Sequence, residues 1–311
     1  MTESLKTQAD LSRILSFAGE VELAADGIAM RFDCSQPHER RYLVRELFGL
    51  PYPQADVDSF LLRLLVRPGD VCLDAGANIG MTAIEMLRLG ASRVLAFEPV
   101  PPLVARLWRI NDRRLKVSNL ALGRTAGSAE ILLSASHNQG HTLKDGMTLR
   151  FPEVFGSEPQ RLPVQVDSID GLGKGRRSGS FGAVWKIDVE GAELDVIQGA
   201  ARTLRRSPPR SIFCETYDPP EPLLEALGKD WLAYRAFIAR EPYGLVLGPF
   251  GMQQDQDLHF DISPTFLFLH AAQMDGAMQE QIAALLEAGA PQARSEAPQS
   301  EDSPSEDPMT P

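Results

Sequence analysis

Apolar positions along this chain follow two rhythms. From residue 67 onward, short continuous apolar runs alternate with longer stretches in which apolar residues recur every three or four positions. The first rhythm predicts strands buried on both faces, the second helices with one apolar stripe. Residues 71–74, 94–98, 115–119, 181–189 and 211–215 read as strands. Between and after them, 80–89, 101–112, 192–206 and 222–240 read as helices, the third striped by Leu194, Ile197, Ala200, Ala201 and Leu204 and stopped by Pro208-Pro209. Strand-then-helix alternation predicts a mainly parallel sheet. Residues 245–247 and 266–269 are expected to close it as a final antiparallel pair, and 278–288 to form a terminal helix. Upstream, 1–18 reads as a loose, partly helical lead. A hairpin turns on Asp26-Gly27 within 19–32, and 38–48 and 56–66 are amphipathic helices, the second with Val57, Phe60, Leu61, Leu64 and Leu65 inward.

One stretch departs from the alternation. Residues 129–133 and 162–166 read as strands separated by a long polar loop carrying His137, Asn138, Gly140, His141 and Thr142. Loops of this length over a scaffold commonly cover a site. The glycine-rich basic run 171–180 reads as a solvated linker rather than a phosphate clamp. After Pro291 the chain is Ser, Glu, Pro and Gln with almost no large apolar residue, which predicts disorder. The organisation expected is an N-terminal extension or cap over 1–55, a main domain over 56–290, and a disordered acidic tail over 291–311.

The charge and the cysteines narrow the function. A net charge of −11 argues against a nucleic-acid partner. Cys34, Cys72 and Cys214 are far apart and form no C-x-x-C pair, which suits buried thiols in a reducing compartment. No signal-peptide pattern opens the chain, and no apolar run reaches the ~18 residues that span a bilayer. A cytoplasmic protein with no membrane span is the expectation; the oligomeric state is not legible.

The chemistry gathers around Val71-Cys72-Leu73-Asp74-Ala75-Gly76-Ala77-Asn78-Ile79-Gly80, a strand, a glycine turn and a helix start. The next strand ends on Glu98, an acid placed to accept hydrogen bonds from a ribose diol. The dinucleotide fingerprint G-x-G-x-x-G is not met, because Asp74 stands where its first glycine belongs. A carboxylate there opposes a pyrophosphate and suits a cation. Charge alone therefore favours S-adenosylmethionine, with its ammonium and sulfonium, over NAD.

The runs LDAGANIG, AFEP, NLALG, WKIDVEGAELDVIQGA and ETYD, in that order and spacing, resemble the FkbM-type methyltransferase family across residues 60–217. The resemblance implies a Rossmann-like class I methyltransferase fold of the α/β class. It also implies S-adenosylmethionine as cofactor and O-methylation of a hydroxyl on a natural product or glycan. On matching positions it implies that Asp74, Gly76, Asn78 and Gly80 line the methionine and ribose end, that Glu98 is the ribose acid, and that Asn119 lies near the adenine.

The segment Lys186-Ile187-Asp188-Val189-Glu190 ends the fourth strand at the sheet's carboxyl edge, where ligands bind in open parallel sheets. Alternation places Lys186, Asp188 and Glu190 on one side. Methyl transfer to a hydroxyl needs alignment and removal of a proton. Asp188 is the first candidate for that role, Glu190 the second, and Lys186 can hold the acids or stabilise a developing alkoxide. His141 in the covering loop is a further candidate base, and Tyr217 a wall of the acceptor pocket. Helix capping is the plainer role for Glu190 or Glu193, and a divalent metal on Asp188, Glu190 and Glu215 lacks a ligand-spacing signature. The competing readings are a nucleotide-dependent oxidoreductase, opposed by Asp74, and a cofactor-binding module without catalysis.

Overall fold

The computed structural model describes residues 7–173, 181–252 and 260–289; most of the basic run and the whole acidic tail lie outside them. Helix α1 (Gln8–Ser16) is capped reciprocally by Thr7 and Asp10. Strands β1 (Glu20–Ala25) and β2 (Ile28–Asp33) pair across the Asp26-Gly27 turn. Helices α2 (Pro37–Phe48) and α3 (Pro53–Leu65) each open on a proline, which needs no donor in a first turn. The alternating core begins with β3 (Val71–Ala75), α4 (Met81–Arg88), β4 (Arg93–Phe97), α5 (Pro101–Leu107) and β5 (Leu115–Ser118). Strands β6 (Ala121–Leu122), β7 (Gly127–Leu133) and β8 (Gln160–Asp167) make a separate small sheet. The loop between β7 and β8 carries two short helices, α6 (Gly146–Arg150) and α7 (Pro152–Phe155). After α8 (Ile169–Leu172) come β9 (Val184–Ile187), α9 (Glu193–Gly199), α10 (Ala201–Arg206), β10 (Ser211–Glu215), α11 (Glu221–Leu227), β11 (Trp231–Arg240), β12 (Tyr243–Pro249), β13 (Phe260–His270) and α12 (Gly276–Gly289).

The main sheet has eight strands in the order β12-β11-β13-β10-β9-β3-β4-β5. The five from β10 to β5 run parallel, while β13 is antiparallel to both β10 and β11. From β3 the chain winds outward through β4 and β5; β9 then starts the other half, beside β3. The carboxyl ends of β3 and β9 therefore flank a topological switch point, where a crevice opens. Alternation along each strand feeds two cores. Cys72, Val94, Val184 and Phe213 enter one with Leu23, Met30 and Phe32 of the hairpin, and Leu73, Leu95, Trp185 and Ile212 enter the other. All three cysteines are buried and free.

Two element expectations need correction. Residues 222–240 are not one helix: α11 ends at Gly228, at φ 92°, and the chain re-enters the sheet as β11. Ala236 to Ala239 are all buried, the mark of a strand covered on both faces. The second correction follows from it. Strands β12 and β13 do not pair with each other, because β11 lies between them. The helix expected over 192–206 is interrupted at Ala200.

Candidate active site

The turn after β3 is built on backbone hydrogen bonds. Gly76 and Ala77 N–H donate to Phe97 O at 3.0 and 3.1 Å, and Gly80 N–H to Ala77 O at 2.8 Å. Ile79 N–H donates to Asn78 Oδ1 at 2.7 Å and Asn78 N–H to Glu98 Oε2 at 2.9 Å. Gly76 has φ 79°, and a Cβ there would stand 1.8 Å from Asp188 O. Glycine is required both by the left-handed backbone and by the approach of β9. Gly80, at φ 93°, starts α4 where a Cβ would meet Leu107 and Ile110 at 2.8 Å.

Glu98, at the end of β4, is 4% exposed. Its second oxygen accepts from Val100 N–H at 2.9 Å. Burial pushes its carboxyl up to about 7, against the pull of these two amides. Each oxygen has used one lone pair and retains one for a ligand hydroxyl.

Asp74 differs from expectation. It is fully buried, and its Oδ2 accepts from Thr82 Oγ1 at 2.7 Å. Its Oδ1 has no hydrogen-bond partner and faces Lys186 Nζ at 3.8 Å. The cation that Asp74 serves belongs to the protein, and the residue does not line the cleft. Asn119 is not among the residues lining the cleft. It is exposed, and its amide donates to Glu98 O at 3.1 Å and Pro99 O at 2.8 Å. It braces the β4 end, and Leu120 lines the cleft instead.

The opposite wall is acidic. Lys186, 5% exposed, donates to Asp188 Oδ2 at 3.0 Å and Gly76 O at 3.2 Å. Burial pulls its pKa down, but Asp188, Asp74 and Asp58 more than reverse that, and it ends above the ordinary lysine value. Glu190 has a positive φ of 54°, unusual away from glycine. Burial, then Asp188 and Glu215, raise its pKa well above the usual carboxylate value. Glu215, at the end of β10, is raised by burial and by Asp188 and Asp58. The capping role falls to Glu193, whose Oε1 accepts from Val189 and Gly191 N–H at 3.1 and 3.0 Å.

Turn, acids and covering loop border one open cleft. Asn78 Nδ2 reaches Asn138 O of the loop at 2.6 Å, and Asn138 Nδ2 donates to Glu39 at 2.7 Å. Glu39 is fully buried and pairs with Arg106 at 2.6 Å, so the loop is fastened to α2 and α5. Thr142 Oγ1 donates to Glu190 O. His141 lines the cleft, accepts from Ser134 N–H on Nδ1 at 2.9 Å, and is pushed down to about 4 by burial. An imidazole so depressed is a weak base.

The cleft also contains Tyr42, Gln54 and Asp58, from α2 and α3, which the sequence reading passed over. Asp58 has no hydrogen bond or ion pair among the described residues, and burial pushes its carboxyl up to about 7. A signal was present. Asp58 stands three, four and seven residues ahead of Leu61, Leu62 and Leu65, all fully buried. An acid in the apolar stripe of a helix points inward with the leucines.

A sheet in this order with a carboxyl-edge cleft at its switch point defines the Rossmann-like fold of class I methyltransferases. The chain belongs to the FkbM methyltransferase family: residues 74–240 match the Methyltransferase FkbM domain. It is similar to the 2-O-methyltransferase NoeI of Sinorhizobium fredii, with 28% identity over 177 residues that cover 54% of this chain and 72% of that protein. It is similar also to methyltransferase sdnD of Sordaria araneosa, 27% identical over 205 residues covering 56% and 79%. The crystal structure of Methyltransferase FkbM from Methylobacillus flagellatus aligns over 74% of this chain and 53% of that one, at 15% identity and a TM-score of 0.37.

Proposed function

We propose that this methyltransferase moves the methyl group of S-adenosylmethionine to a hydroxyl oxygen of a small-molecule acceptor. The observation that carries the reading is that carboxyls line the cleft while no free cation among the described lining residues does. Asp58, Glu98, Asp188, Glu190 and Glu215 line it, and the one cation among its lining residues, Lys186, is already engaged by Asp188 and Asp74. A pyrophosphate finds no partner there, whereas a cationic cofactor without phosphate does. The residues fit S-adenosylmethionine along its length. Glu98 has lone pairs left for the ribose hydroxyls, Phe97, Leu103 and Leu120 offer apolar surface to an adenine, and Asp58 is an unpaired carboxyl for an ammonium.

When bound, the cofactor supplies an electrophilic methyl on a sulfonium. The protein's part is to position the acceptor and take its proton. Asp188, fixed by Lys186, orients the hydroxyl. Glu190, which lines the cleft, removes the proton, and its raised pKa makes its ionised form a stronger base than an ordinary carboxylate. The sequence ranking of these two acids is thereby reversed. The experiment is mass analysis of cell extract incubated with the enzyme and labelled S-adenosylmethionine. A labelled product gaining one methylene on oxygen is expected; label on nitrogen or carbon only contradicts the oxygen acceptor.

A further inference from the structure

A second cavity opens beside the cofactor cleft, and Gln54, Gln139 and Glu190 line both. One wall is apolar: Met147, Phe151, Val154 and Phe155 from the α6–α7 segment, with Tyr217 beyond β10. Phe151 and Tyr217 meet edge to face, their centroids 5.6 Å apart at 65°. Arg150 lies over both rings, at 5.4 and 5.9 Å. Its guanidinium is tied to Asp218 at 3.0 Å and to Tyr217 O at 2.5 Å. The rings are therefore fixed in place, yet Tyr217 remains 42% exposed. Aromatic surface held rigid at the edge of a cavity is suited to stacking a flat ring.

The facing wall has His38, Arg41, Tyr52 and His137. Burial lowers both imidazoles, His38 to about 4, so they are neutral near pH 7. Arg41 lies 5.7 Å from the Tyr52 ring centroid. Apart from Glu190 it is the one formal charge among the described lining residues, so a cationic acceptor finds no counter-charge beyond the junction. At that junction Glu190, three residues past the end of β9, has a positive φ of 54°. Backbone outliers of this kind gather at functional sites.

We propose that the second cavity is the acceptor site and that the acceptor is a phenol, its ring packed into the corner that Phe151 and Tyr217 make and its hydroxyl turned to Glu190. The inference rests on the methyl-transfer reading above and names its substrate class. A phenolic hydroxyl ionises near 10, far more readily than an alkyl alcohol, and so suits a carboxylate as base. The proton passes to Glu190 as the O–C bond forms and the C–S bond breaks, the electron pair staying on sulfur. The products are an aryl methyl ether, a neutral thioether and protonated Glu190, which returns its proton to solvent.

The test uses three probes: 2-naphthol, its saturated counterpart decahydro-2-naphthol, and octyl glucoside. Saturable binding of 2-naphthol, read from its own fluorescence without cofactor, is expected. Phe151→Leu and Tyr217→Leu, which keep apolar bulk, should each weaken it roughly tenfold and leave S-adenosylmethionine affinity unchanged in calorimetry. With cofactor present, 2-naphthol should gain a methylene and the other two should not. Equal or faster methylation of the saturated alcohol or the glucoside overturns the phenol assignment. Absence of 2-naphthol binding, or binding without methylation by cofactor-loaded enzyme, overturns it too. Failure to bind S-adenosylmethionine while 2-naphthol is still held places the fault in the methyl-transfer reading instead.

Discussion

Along the β3–β4 edge of the cleft, all five backbone N–H groups from Gly76 to Gly80 have partners, and Glu98 is gripped by two amides. Along the β9–β10 edge, Asp188 pairs with Lys186, and burial and the neighbouring acids raise Glu190 and Glu215 well above ordinary carboxylates. The first wall is satisfied before any ligand arrives and can only hold. The second has one cation for several acids, so its carboxyls bind a proton more readily than ordinary carboxylates. The walls meet where Gly76 has no side chain and Asp188 O fills the space, so a reacting group on one is set directly against what is held on the other.

Substitution on the reacting wall should separate catalysis from binding. Glu190→Gln is expected to lower turnover by roughly 10²–10⁴-fold, the usual worth of a general base, with cofactor affinity unchanged by calorimetry. Equal loss of both would erase the distinction between the walls. Lys186→Met sharpens the comparison from the side of stability. It leaves Asp74 and Asp188 without their cation, and urea unfolding should show a loss of about 3–5 kcal/mol. A loss below about 1 kcal/mol would mean that the acids are not held by this lysine.

On the holding wall the effect should fall on affinity and leave the chemical step untouched. Glu98→Gln is expected to weaken S-adenosylmethionine by about 1.5–3 kcal/mol, and to lower the melting temperature as well because one of the two N–H groups that Glu98 accepts is left facing an amide NH2. Asp58→Asn should do the same for S-adenosylmethionine and leave 5′-methylthioadenosine, which lacks the ammonium, unaffected. Parallel weakening of both ligands would remove Asp58 from the ammonium.

The smallest effect is on pH dependence. Asp58, Glu98 and Glu193 are each raised to about 7 by burial. Between their unfolded and folded pKa values they keep a proton that the unfolded chain has released, so the stability they lend is present at low pH and is lost as pH climbs through about 7. His38 and His141, lowered to about 4, act oppositely below their unfolded value of 6.5 and mask part of the trend there. The melting temperature of the ligand-free protein should therefore drop between about pH 6.5 and 8, less steeply in Glu98→Gln. Parallel curves would show that Glu98 is not protonated in the fold.

The holding wall was legible because its parts are local. A glycine turn between a strand and a helix, and an acid one strand on, leave a signature within about twenty-five residues. What the sequence could not show is which carboxyl a buried lysine would claim. Asp74 carries the right charge for a cationic ligand, yet strand register sets it beside Lys186 on β9, a pairing across more than a hundred residues. The sequence likewise could not show that the Asn119 amide finds the backbone of Glu98 and Pro99. Asp58 was readable as an acid within a leucine stripe. The β11 error arose because Pro222 to Leu227 is helical and Gly228 ends it, while helical spacing was carried on through residues whose continuous burial belongs to a strand.

The central claim is that this cleft is built for a cationic cofactor without phosphate. Calorimetric titration of the purified protein near neutral pH, with S-adenosylmethionine and separately with NAD, tests it most directly. Saturable binding of S-adenosylmethionine with no measurable NAD binding is the result predicted. NAD bound as tightly as S-adenosylmethionine, or more tightly, would contradict it.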